Sequence, residues 1–99
     1  MSQHFNRLTP AEAERLALLI EECAEVQQSA TKILRHGYES VNPKLPKHLQ
    51  ETNRHALERE LGDLMHCIKR MGADLDIERI NTLAESVKPE TIKPYLHHQ

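Results

Sequence analysis

Between Thr9 and Gly37 apolar residues return every three or four positions, at Leu16, Leu19, Ile20, Cys23, Val26, Ala30, Ile33 and Leu34, with no glycine and no interior proline. That period belongs to one face of an α-helix. Thr9-Pro10-Ala11-Glu12 supplies its start: a cap, a proline at the first helical position and a glutamate three residues after the cap. Lys32, Arg35 and His36 crowd the last turn, where cations oppose the helix dipole, and Gly37 follows as the stop. One long amphipathic helix has to bury its stripe against other helices, so the chain is expected to be all-α, a helical bundle.

The rest of the chain agrees. A second helical pattern starts near Thr52 or Asn53 and runs to Met71, with Leu57, Leu61, Leu64, Ile68 and Met71 on its apolar arc and Gly72 expected to end it. A third begins at the cap Asp76 and continues through Ile77, Ile80, Leu83, Ala84 and Val87; Pro89 either ends it or opens a short fourth helix over 90–96. No segment reads as a strand. Residues 38–52 break the pattern with Asn42-Pro43 and Leu45-Pro46 and carry Lys44, Lys47 and His48. An irregular connection of that length either binds or covers something, or is a solvated connector.

Residues 1–99 make one domain of modest size. With one phenylalanine, two tyrosines and no tryptophan, the core has to come from aliphatic side chains. A chain this short with so long a stripe is expected to complete its burial by self-association. Cys23 and Cys67 lie among apolar residues and are expected to be small buried hydrophobes; nothing requires a disulfide. The formal net charge of −2, with acids and bases mixed, argues against a nucleic-acid groove. The longest apolar run, Leu16 to Ile20, is too short for a membrane span, and no signal peptide is recognised, so a cytoplasmic protein is expected.

Against this frame some acids stand in the wrong place. At about 100° per residue, Glu22 falls at the edge of the first apolar arc with Glu25 one turn on, whereas Glu21 points toward solvent. In the second helix Glu60 falls inside the apolar arc, with Asp63 at its border, and only Arg59 or Arg70 could reach round to neutralise it. An unpaired carboxylate turned into a bundle costs several kcal/mol, on the order of the penalty for any buried ion. If the helices pack antiparallel, the two i, i+3 pairs converge and repel one another, and a hard divalent cation resolves the conflict. Oxygen-only ligands favour Mg²⁺ or Mn²⁺ over zinc. The bland alternative is a solvated acidic edge paired with Lys32 or Arg35.

These residues resemble a known family. Glu21-Glu22-Cys23-Ala24-Glu25 is similar to the EExxE half of the MazG-type signature, and Glu60-Leu61-Gly62-Asp63 to its ExxD half. The stretch from Thr52-Asn53-Arg54 to Leu64 and the ending Pro94-Tyr95-Leu96-His97 also look like small MazG-like proteins. The resemblance, running from about Leu16 to the C-terminus, implies an all-α nucleoside triphosphate pyrophosphohydrolase, assembled as a homodimer or homotetramer. Such enzymes cleave a (deoxy)nucleoside triphosphate to the monophosphate and pyrophosphate. Carried over, Glu22, Glu25, Glu60 and Asp63 would be the Mg²⁺ ligands, with Mn²⁺ a substitute, and one of Glu22, Glu25 or Glu60 the general base. Lys32, Arg35 and Lys88 are candidates for phosphate contacts, or else charges that complement a helix dipole.

Two other readings remain open. One is a non-catalytic helical oligomer that serves interaction or regulation. The other is a di-iron carboxylate bundle, suggested by the carboxylate-x-x-His spacing of Asp63-Leu64-Met65-His66; that architecture needs two such motifs, and the chain has one.

Overall fold

The computed structural model describes residues 5–99, and every regular element among them is helical. Helix α1 spans Pro10–His36. Its start is reciprocal: the Thr9 hydroxyl accepts from the Glu12 N–H at 3.1 Å while the Thr9 N–H donates to Glu12 Oε1 at 2.8 Å. At the other end Gly37 sits at φ 87°, a conformation that costs a residue without Cβ little, and its N–H closes on the Ile33 carbonyl at 2.7 Å.

The connection that follows is ordered onto the head of α2, which spans Asn53–Arg70. The carbonyls of Ser40 and Tyr38 accept from the N–H groups of Asn53 and Arg54 at 2.9 Å, and the Thr52 hydroxyl accepts from the His55 N–H at 3.1 Å. Donors that a helix start leaves without an intrahelical partner are thereby satisfied. The Arg54 guanidinium lies 4.4 Å from the centroid of the Tyr38 ring and also bonds Glu39. Within the loop, Lys47–Leu49 form one 3₁₀ turn.

Two groups of contacts make α1 and α2 an antiparallel hairpin. The end of α1 meets the start of α2 through the Asn53 amide, which donates to the Gly37 carbonyl at 3.1 Å. The start of α1 meets the end of α2 through Arg15, whose guanidinium grips both oxygens of Asp74 at 2.8 Å. Gly72 does not stop α2 as its position suggested. The backbone tightens instead into a 3₁₀ turn, Met71–Ala73, that passes through it. Its role is spatial, since a Cβ there would stand 2.9 Å from Ile77 Cγ1.

Asp76 caps α3 (Ile77–Thr82), its side chain accepting from the Arg79 N–H at 3.1 Å. Pro89 does not end the helical path. Leu83–Val87 widen into a π turn in which the Lys88 N–H reaches the Leu83 carbonyl, and α4 (Lys88–Ile92) continues from it. Proline has no N–H to donate and its ring crowds the carbonyl four residues back, so a widened turn just before it relieves both problems. A last 3₁₀ turn, Lys93–Tyr95, follows.

Little of this is buried. Only Cys67, Met71 and Glu60 are buried among the described residues, at 5%, 4% and 7% exposure. The radius of gyration is 17.5 Å, against about 13 Å for a compact domain of this length. The wheel explains where the apolar surface goes. Helix α2 docks on the flank of α1 that carries Glu22 and Ile33, leaving the opposite half of the apolar arc open: Ile20, Cys23 and Leu34 are exposed. Cys23 is therefore not the buried hydrophobe its neighbours suggested, although Cys67 is, and both thiols are free. Leu61, expected on the covered arc of α2, is likewise exposed, as are Leu83 and Val87 on the C-terminal arm, which packs hardly at all on the hairpin. No helix of the described residues is long and apolar enough to cross a membrane.

Candidate metal centre

The buried face of α2 is narrow. Cys67 and Met71, seven and eleven residues past Glu60, fall within about 20° of its direction on the helix wheel. The same face that forms the small core thus carries a carboxylate, and α1 brings two more against it. Glu22, Glu25, Glu60 and Asp63 each offer an oxygen, and these four oxygens lie within 4.8 Å of one another. The i, i+3 spacing on each helix stacks each pair on one face, and antiparallel packing turns the two faces together. Glu21 stays on the exposed side of α1.

The electrostatics are those of crowded like charges. Burial, followed by the charges of Asp63 and Glu60, pushes the Glu22 carboxyl above its ordinary range. Glu25 is pushed up first by the hydrogen bond that its protonated carboxyl donates to Glu60 and then by the charges of Glu60 and Glu22. Two buried oxygens, Glu22 Oε2 and Glu60 Oε2, have no hydrogen-bond partner. Buried polar atoms are nearly always satisfied, and an orphaned carboxylate oxygen is costly. Here both orphans sit on residues of one cluster of oxygen donors, so the residues present fit a hard divalent cation. Among the described residues one cation touches the cluster: Arg59 donates through Nη1 to Glu60 Oε1 at 2.8 Å and through Nη2 to Glu51 Oε1 at 2.8 Å. Arg70, the other arginine within reach in the sequence, turns away and donates to His66 Nε2 at 3.0 Å. His66 lies outside the cluster, so among the described residues the carboxylate-x-x-His spacing assembles no di-iron set.

Toward the loop end of the hairpin opens a cavity of about 460 Å³ walled by the end of α1, the 38–52 loop and the start of α2, with none of the four carboxylates in its wall. Lys32 and Arg35 line it together with His36, Asn42, Glu51 and Asn53. Ala56, also on the wall, stands one turn (about 6 Å) before Glu60, and Lys32 two turns (about 10 Å) past Glu25. Lys32, Arg35 and His36 have no ion-pair partner among the described residues. Lys88 does not join them: it heads α4 on the C-terminal arm and lines neither cavity nor cluster.

Sequence reasoning missed Glu51 and His36. Glu51 sits in a proline-broken loop where no periodicity assigns a direction, and only the docking of that loop on α2 brings it to Arg59. His36 read as a charge near the helix end, and the loop folding over it makes it part of a wall. No family model, no curated protein and no solved structure matches this chain.

Proposed function

We propose that the chain is a Mg²⁺-dependent nucleoside triphosphate pyrophosphohydrolase of the MazG-like kind. The observation that carries the reading is the convergence of Glu22, Glu25, Glu60 and Asp63 with two buried, unpartnered carboxylate oxygens. The resemblance of Glu21–Glu25 and Glu60–Asp63 to the two halves of that family's signature supports it independently.

Glu22, Glu25, Glu60 and Asp63 would hold the cation, with Mn²⁺ able to substitute. When bound, it supplies neutralisation of charge on the phosphates and fixes their orientation. One of Glu22, Glu25 or Glu60 accepts the proton of the attacking water. An oxygen–phosphorus bond forms at the α-phosphate, the α–β bridging bond breaks, and the pyrophosphate departs with the electron pair. Lys32 and Arg35 in the cavity take up phosphate charge, and the cavity is roomy enough for part of a nucleotide. Lys88 has a place in this scheme only if a second copy carries it to the site.

A second copy is part of the proposal. The open half of the α1 arc, with Ile20 at 69% and Leu34 at 88% exposure, and the uncovered Leu83 and Val87 favour a homo-oligomer in which another chain finishes the bundle. The same exposed surface favours the runner-up reading, a non-catalytic helical interaction module, and catalysis separates the two. The test is a panel of ribo- and deoxynucleoside triphosphates with Mg²⁺, reading monophosphate and pyrophosphate. Release of pyrophosphate that Glu22→Gln and Asp63→Asn abolish is expected. Wild-type protein inert on the whole panel, or variants with undiminished rates, would sink the enzyme reading.

A further inference from the structure

Glu60 is the most enclosed of the four acids, and its two oxygens have different fates. Oε1 takes a hydrogen bond from Arg59 Nη1 at 2.8 Å; Oε2 is buried and has no hydrogen-bond partner, and Glu60 offers one of its oxygens to the cluster. The last torsion of a glutamate is broad, so the carboxylate plane is set by whatever grips it rather than by a rotamer well. Arg59 is itself gripped from the far side, since its Nη2 donates to Glu51 Oε1 at 2.8 Å. Glu51 belongs to the 38–52 loop and forms part of the cavity wall. A planar guanidinium with its donors in a fixed fork holds two carboxylates in one relative orientation, which a single-point ammonium does not.

We infer that Arg59 is a positioning residue: it locks the Glu60 carboxylate so that Oε2 is presented to a divalent cation, and through Glu51 it makes that presentation depend on the seating of the 38–52 loop. The inference rests on the metal reading of the cluster and concerns a residue outside the ligand set. A cation beside a metal site also repels the ion, so two effects of opposite sign compete. The Arg59 side chain is 55% exposed, which leaves its field largely screened by solvent, whereas the torsional constraint on Glu60 is not screened at all. Orientation wins. Hydrogen-bond partners behind metal ligands typically carry about 10- to 100-fold in metal affinity.

The experiment measures Mn²⁺ binding by the loss of the free-ion electron paramagnetic resonance signal, without nucleotide, in the full chain and its variants. Arg59→Gln is expected to weaken binding about 10- to 100-fold, with helix content unchanged by circular dichroism. Arg59→Lys should restore part of the loss, and Glu51→Gln should weaken binding several-fold although it touches no ligand. The Glu51 variant keeps the inference testable should Arg59→Gln fail to fold. Unchanged affinity in Arg59→Gln and Glu51→Gln overturns the positioning role while leaving the metal site standing. Tighter binding in Arg59→Gln overturns it too, because Arg59 would then be competing with the ion. Wild-type protein that binds no Mn²⁺ overturns both this inference and the metal reading beneath it.

Discussion

Replacing Glu60 by glutamine should stabilise the metal-free protein and remove its response to Mg²⁺. Glu60 is 7% exposed and one of its carboxylate oxygens has no partner. A buried acceptor left unsatisfied costs about 1–3 kcal/mol, more when charged. Glutamine keeps the shape, removes the charge and brings an amide that can donate to a neighbouring carboxylate. Set against this is the loss of the ionic bond from a half-exposed Arg59, about 1 kcal/mol or less. The net gain is about 1 kcal/mol, or roughly 4–8 °C in Tm for a domain of this size. In Mg²⁺ at about a hundred times its Kd the wild type gains about 2.7 kcal/mol by mass action, and the variant, short of one ligand, gains little. The order of stability therefore inverts between EDTA and Mg²⁺. Differential scanning calorimetry at pH 7.5 in both conditions reads this directly. A variant that melts below wild type in EDTA and responds to Mg²⁺ as wild type does would refute the reasoning, since Glu60 would then be a structural partner of Arg59 and nothing more.

Three further outcomes are expected. The Arg15 guanidinium holds the Asp74 carboxyl below its ordinary range, so this pair contributes stability above that range and loses it as pH falls through the depressed folded value. Asp74→Asn should accordingly lower Tm at neutral pH and bring the two Tm–pH curves together in acid, and parallel curves would contradict the assignment. Gly72→Ala puts a Cβ 2.9 Å from Ile77 Cγ1 and should cost about 1 kcal/mol in urea unfolding, within the usual range for overpacking; an unchanged midpoint would show that Ile77 gives way freely. If copies associate as proposed through the open half of the α1 arc, Ile20→Glu should lower the mass measured by sedimentation equilibrium, and a wild-type protein that sediments as a monomer would refute the proposed assembly.

Periodicity and caps were enough to place α1, α2 and the start of α3, though not the 3₁₀ turn through Gly72 or the π turn before Pro89. Thr9, Glu12, Gly37, Thr52 and Asp76 act through neighbours three or four residues away, so their roles are legible wherever the chain goes next. The acid pairs were legible for the same reason: i, i+3 spacing puts two side chains on one face before any packing occurs, and Glu60 stood out because that face was otherwise apolar. Local patterns say nothing about which flank of a wide apolar arc another helix will choose. Docking of α2 on the Glu22 side of α1 brought four carboxylates within 4.8 Å, exposed Cys23, and turned a proline-broken loop into a cavity wall whose Glu51 meets Arg59. Those outcomes depend on contacts between residues far apart in the chain, which compete for the same surface and are resolved only when the whole hairpin packs.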